Sequence, residues 1–223
     1  MAAIIEGKLE VAKYTGAASQ WLEQNSKEVK KWAASDVLLG HTRLPTTGAV
    51  TKNNTHPFQI GSWVAAHNGC ISNSAELMTQ AKYVAKGETD SEEALCYIVG
   101  NDFSKESLAE IDGYFAFEAL KKDGSEAVLA VDDRASLYIV QLGAGLIWCT
   151  SGSALDSSLA AVGIQADSQK LESKILRLPA MDVQELAAKR AAYWSQMTEA
   201  SLGRHEKAES YTAEGLFPED RLD

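Results

Sequence analysis

Between residues 113 and 149 the chain reads GYFAFEALKKDGSEAVLAVDDRASLYIVQLGAGLIWC. The apolar segments in this stretch have strand length and are separated by KKDGSE, DRA and GAG, which are turn-forming connections. Such short connections join antiparallel neighbours, whereas parallel strands need crossovers of about a dozen residues or more. The stretch therefore excludes an alternating βαβ architecture and demands hairpins. The start of the chain repeats the pattern: AAIIEGKLEVAKY places two apolar segments around EGK, where Gly7 suits a tight turn.

Helical periodicity falls between these strand regions. Residues 17 to 33 place Ala18, Trp21, Leu22, Val29 and Trp32 on one face of a helix. NSAELMTQAKYV reads as a second helix, capped at Ser72, Asn73 or Ser74. DSEEALCYIVGND reads as a third, opened by Asp90 or Ser91, with Glu92 and Glu93 where carboxylates suit the helix dipole. SDVLLGHTR and FQIGSWVAAHNG read as strands running into polar motifs, SALDSSLAAVG as a helix and SKILRLPAMDV as a late strand. MDVQELAAKRAAYWSQMTEASL reads as a final amphipathic helix, followed by an acidic tail to Asp223. Hairpin-built sheets with helices grouped between them predict an α+β, layered αββα fold with two mostly antiparallel sheets. At 223 residues the expectation is one core, with a domain over 1–180 and a helix and tail over 181–223.

Charge and composition narrow the function. With 21 basic and 31 acidic residues the formal charge is −10, and no basic stripe is present to neutralise phosphates, so direct nucleic-acid binding is not expected. No stretch approaches the roughly 18 to 20 consecutive apolar residues of a membrane span, and the N-terminus has no secretory pattern. Cys70, Cys96 and Cys149 are widely spaced without CxxC, which fits a reducing cytoplasm and gives no metal site. Each is expected to be a buried small hydrophobe.

The polar residues collect in GHTRLPTTG, NNTHPF, HNGCISN and TDSEE. Arg43, flanked by threonines at a strand end, offers a planar fork suited to a carboxylate. Asn68 and Gly69 can donate a side-chain amide and an exposed N–H to developing negative charge. Asp90 can receive an ammonium. A site with all three describes an α-amino acid bearing a side-chain amide, which is glutamine. Each residue also has a purely structural use: Arg43 in an ion pair, Asn68–Gly69 in a hairpin turn, Asp90 as a helix cap, and His41, His56 and His67 as satisfied structural histidines.

Together, in this order, the four motifs resemble those of class II glutamine amidotransferases, the glutaminase domains of the N-terminal-nucleophile hydrolase fold. GYFAFEAL, DDRASLYI and CTSGSAL extend the likeness over roughly residues 1 to 180. The NNTHPF form is similar to that of small phage-encoded relatives. The resemblance implies that Arg43 binds the glutamine carboxylate with Thr46 and Thr47, that Asn68 and Gly69 form the oxyanion hole, and that Asp90 holds the amino group. It implies no cofactor.

The same resemblance sets a departure. The family attacks with an N-terminal cysteine whose own α-amine is the base. Here MAAII precedes LEVAKYTGAASQWL, which is similar to a segment that follows the nucleophile strand and first helix in relatives. The expectation is an N-terminally shortened, catalytically inactive pseudo-glutaminase used for binding or assembly. Its shortened side would be covered by a second copy or another subunit, in the cytoplasm, that of a host, or in a virion. Two alternatives stand beside it: an active amidotransferase with its nucleophile on another chain, and a phage structural protein indifferent to glutamine.

Overall fold

In the computed structural model, residues 1–33, 35–45, 48–143, 145–172 and 174–179 are described. The chain begins with β1 (Ala2–Ile5) and β2 (Lys8–Val11), followed by α1 (Ala18–Gln24), α2 (Ser26–Ala33) and β3 (Val37–Leu39). Then come β4 (Phe58–Ile60), β5 (Trp63–Ile71), α3 (Ser74–Thr79), α4 (Asp90–Gly100) and α5 (Lys105–Ala109). The hairpin region supplies β6 (Gly113–Lys121), β7 (Glu126–Val131), β8 (Tyr138–Leu142) and β9 (Gly145–Cys149). The described part closes with α6 (Gly152–Ala161), β10 (Gln169–Lys170) and β11 (Lys174–Pro179). The expected final amphipathic helix and the tail over 181–223 lie outside the described residues, as do Thr46 and Thr47.

The fold is α+β, and its strands pair antiparallel throughout the registers that follow. One compact unit comprises Met1–Ala135 and Ile175–Pro179, and a second contains Ser136–Lys174. In the first, a five-stranded sheet has the order β11-β7-β6-β5-β4, and a three-stranded sheet the order β2-β1-β3. These are the two sheets that the hairpin pattern predicts. The first hairpin turns through Glu6 and Gly7, both at positive φ, as a two-residue turn of the primed kind requires.

Along β5 and β6 the side chains alternate between two covered faces. Phe115, Phe117 and Ala119 join Trp63, Ala65 and Ile71 in a core shared with the almost wholly buried α4. On the opposite face Leu120 packs with Ile4 of β1 and Ala127 of β7. Helix, sheet and sheet are thus stacked within this unit. The nine-residue β5–β6 ladder runs from Trp63↔Lys121 to Ile71↔Gly113, and it carries Asn68 and Gly69 inside a strand. The hairpin-turn reading of that pair is therefore replaced by a paired strand in which Gly69 takes a positive φ.

The second unit contains a sheet of order β10-β8-β9, with Val140 packed against Leu155 and Leu159 of α6. Ser151 caps α6 by accepting from the Ala154 N–H.

Three local expectations shift. The single helix over 17–33 is two, because the chain breaks at Asn25, whose side chain donates to the Trp21 carbonyl. The second predicted helix ends at Thr79, and Asn73 does not cap it with its side chain: its Oδ1 accepts from Asp112 N and its Nδ2 donates to Glu110 O. Helix α4 is capped by Thr89, whose hydroxyl accepts from Glu92 N, leaving Asp90 and Ser91 for other partners.

Candidate functional site

Strand β3 ends at Leu39, opposite Ala2, and the chain leaves it as Gly40-His41-Thr42-Arg43. Burial lowers His41 to about 4, and His67, the Met1 amine and Arg43 add to the effect in that order. His56 is driven well below the ordinary imidazole value, first by burial and then by His41, His67, Arg43 and Lys13. The pairing of Phe58 with Ala65 sets the HPF motif beside the strand that carries HNG. The His41 and His56 rings lie 4.0 Å apart, and Phe58 meets His56 edge-on at 4.6 Å.

The satisfied-histidine reading fails for His56. It is 3% exposed, and among the described residues neither ring nitrogen has a hydrogen-bond partner. His67 Nδ1 shares a 2.9 Å hydrogen bond with Ser91 Oγ, and the ring also interacts with the Tyr114 backbone, a contact that favours its charged form. Burial outweighs the pull of Asp90 and holds His67 at about 4, so the ring is neutral at pH 7.

Asp90 follows at the start of α4. Its Oδ2 accepts from Ile71 N at 3.0 Å, and its Oδ1 lies 3.5 Å from Ser91 Oγ. Two consecutive residues of one helical turn therefore grip β5 on either side of Asn68-Gly69-Cys70: Ser91 holds His67 before it and Asp90 holds Ile71 after it. Gly69 has φ +151°, and a Cβ there would fall 2.1 Å from Tyr114 O and 2.6 Å from His67 Nε2. Only glycine fits, and Asn68 beside it is exposed. Ser91→Ala removes the partner of His67 Nδ1 in a buried site, so a loss of about 1–2 kcal/mol is expected in denaturant unfolding.

Lys13, half-buried, has its Nζ 5.0 Å from the Phe58 ring centroid. Burial lowers its pKa, partly opposed by Glu92. Sequence reasoning gave Ser91 and Glu92 only a part in opening a helix and gave Lys13 no role. Their only signal is proximity after folding. Cys70, expected in the core, is exposed, because its cross-strand partner Tyr114 is itself 45% exposed at the open end of the ladder. Cys96 is buried, as expected, and Cys149 is half-buried. Among the described residues no cluster of His, Cys, Asp and Glu could hold a metal ion, and no helix is long and apolar enough to cross a membrane.

Residues 13–128 match the family described as glutamine amidotransferases class-II, more than half of the chain. The chain belongs to that family. The motifs from Lys13 to the TDSEE segment all fall inside the matched region. The glutamine–fructose-6-phosphate aminotransferase of Streptococcus pyogenes serotype M1 is 31% identical over 115 residues, covering 45% of this chain and 19% of that protein. The same enzyme from Sulfolobus acidocaldarius is 34% identical over 138 residues, covering 59% and 22%. The chain thus spans about a fifth of the length of these curated relatives. Among solved structures, the Bacillus subtilis glutamine phosphoribosylpyrophosphate amidotransferase complexed with ADP and GMP superposes with a TM-score of 0.61 at 20% identity. It covers 80% of this chain and 40% of that one, and the likeness is one of fold.

Proposed function

We propose that residues 1–180 form a class II glutaminase-type domain that binds glutamine without cleaving it. Arg43 takes the α-carboxylate with Thr46 and Thr47, Asp90 takes the α-ammonium, and Asn68 with the Gly69 N–H takes the amide oxygen. The observation that supports this reading is the hold of Ser91 and Asp90 on β5 to either side of Asn68–Gly69, with His41 and His56 packed together beside the neighbouring strand. Cys96 is buried in α4, Cys149 belongs to the second unit, and Cys70 lies near the end of β5, where its own nitrogen is a peptide nitrogen. None joins a thiol to a free amine.

A second reading has one observation in its favour. The Met1 amine is near enough to His41 to lower it, so a nucleophile supplied by another segment or chain would reach the same neighbourhood through that side. A partner subunit, a second copy or a different chain, belongs to either reading. A cytoplasmic setting is supported by the three unpaired thiols, and a phage setting by the NNTHPF form alone.

Calorimetric titration tests the proposal. Glutamine is expected to bind and asparagine to bind more weakly. Arg43→Ala should weaken glutamine by about 10- to 100-fold, as for loss of a hydrogen bond to a charged group. No ammonia should be released. Ammonia release that disappears in Arg43→Ala would establish the active reading instead, and absence of glutamine binding would remove both.

A further inference from the structure

The NNTHPF motif contributes one residue that the glutamine reading leaves without a role. Asn54 is 2% exposed and lies in a loop, yet every polar atom of its side chain is committed. Its Nδ2 donates to Ala49 O at 3.0 Å, and its Oδ1 accepts from Glu88 N at 2.9 Å. A carbonyl on one side and an N–H on the other fix the orientation of the amide. Its own N–H donates to Thr51 Oγ1 at 3.3 Å.

The two segments it joins come from the two ends of the proposed ligand grip. Ala49 lies in the loop that leaves Arg43, and Glu88 stands two residues before Asp90. Glycines make the approach possible on both sides. A Cβ on Gly48, which has φ +76°, would lie 2.9 Å from Asn54 Nδ2 and 3.0 Å from Glu88 O. A Cβ on Gly87 would lie 2.4 Å from Asn54 Oδ1 and 2.9 Å from Glu92 Oε2, the atom that accepts from Gly87 N at 2.6 Å. The amide thus sits in a slot that fits nothing larger.

We infer that Asn54 is a positioning residue: it clips the Arg43 loop to the segment entering α4, setting the separation of the carboxylate and ammonium subsites so that the site selects ligands carrying both groups on one carbon. The inference rests on the glutamine reading and adds a specificity mechanism to it. Two subsites held at a fixed distance make the second contact intramolecular once the first is formed, and that advantage vanishes when the distance is free to vary. Asn54 touches no ligand, so losing it should leave each single contact nearly intact.

The experiment compares three probes on wild type and Asn54→Ala by calorimetry: glutamine, 4-carbamoylbutanoate, which lacks the α-amine, and 4-aminobutanamide, which lacks the α-carboxylate. In wild type, glutamine is expected to bind at least tenfold tighter than either single-ended probe. In Asn54→Ala that advantage should fall by about tenfold, with the single-ended probes changing less than about threefold. Amide hydrogen exchange supplies a ligand-free arm, in which the Glu88 N–H is protected in wild type and loses protection in the variant. Should Asn54→Ala not fold, Gly87→Ala retains the asparagine but intrudes on its Oδ1, and it should erode the same advantage. Equal loss on all three probes, or unchanged protection of Glu88, overturns the inference and leaves the glutamine reading standing. Failure of wild type to bind glutamine overturns both.

Discussion

Replacing Glu118 with Gln is expected to stabilise the protein at pH 8 by on the order of 3 kcal/mol while changing its stability at pH 4 much less. Glu118 sits in the middle of β6, opposite Ala66 on β5 and Leu129 on β7, and is 6% exposed. Its flanking neighbours on that sheet face, Ala116 and Leu120 on its own strand and Val64 and Asn68 diagonally across, bring no ionisable group. Burial alone raises its pKa from 4.5 to about 7. The folded state then holds a proton that the unfolded chain has released anywhere between these two values. Stability therefore falls as pH rises from 4.5 to about 7, and the full penalty is present above it. Gln keeps the shape and cannot ionise.

The buried imidazoles act in the opposite sense. His41 and His67 are lowered from 6.5 to about 4, so their contribution is complete above 6.5 and is lost as pH falls towards 4. Wild type should accordingly show a flattened stability profile between pH 4 and 7, and Glu118→Gln a rising one. Urea unfolding at intervals from pH 4 to 8 measures both. Parallel profiles for the two proteins would show that Glu118 does not carry a proton in the fold.

Glu118 also marks where sequence reading reaches its limit. GYFAFEAL is legible as a strand from its apolar and aromatic content, and the hairpins follow from the turns around it. What the pattern conceals is that both faces of β6 are covered, one by α4 and the other by β1, so an acidic residue in the run looks like a solvent-side position. The break at Asn25 was hidden for a related reason: Trp21 and Trp32 have helical spacing but meet as rings 6.2 Å apart across the junction of two helices.

The candidate site divides in the same way. Arg43, Asn68, Gly69 and Asp90 could be proposed from sequence because the chemistry proposed for them is written in the residue type and its neighbours. Asn54 and Ser91 could not, because their roles are set by partners 34 and 24 residues away. Helix propensity assigned Asp90 or Ser91 to capping. Thr89 takes that task, and both are freed to hold β5. Local preference lost to a tertiary contact that serves the strand carrying Asn68.

Gly69→Ala is expected to cost about 4 kcal/mol, the largest effect of any single methyl group in the site. Two penalties combine. Its φ of +151° belongs to a region that L side chains rarely adopt, which costs about 1–3 kcal/mol. The added carbon would also fall 2.1 Å from Tyr114 O and 2.6 Å from His67 Nε2, distances that force backbone or a buried ring to move at a further cost of about 1–3 kcal/mol. Gly7→Ala separates the two, since Gly7 has φ +71° but nothing within 4 Å of the added carbon, and about 1 kcal/mol is expected there. Displacing Tyr114 O would open the β5–β6 ladder, and displacing His67 would break its bond to Ser91, so glutamine binding should fail even where the variant remains folded. Denaturant unfolding of both variants, with glutamine titration of any folded Gly69→Ala, decides the matter. If Gly69→Ala costs no more than Gly7→Ala, the strand is not held as tightly against Tyr114 as the geometry requires, and the backbone beside Asn68 is not a fixed feature that a ligand can rely on.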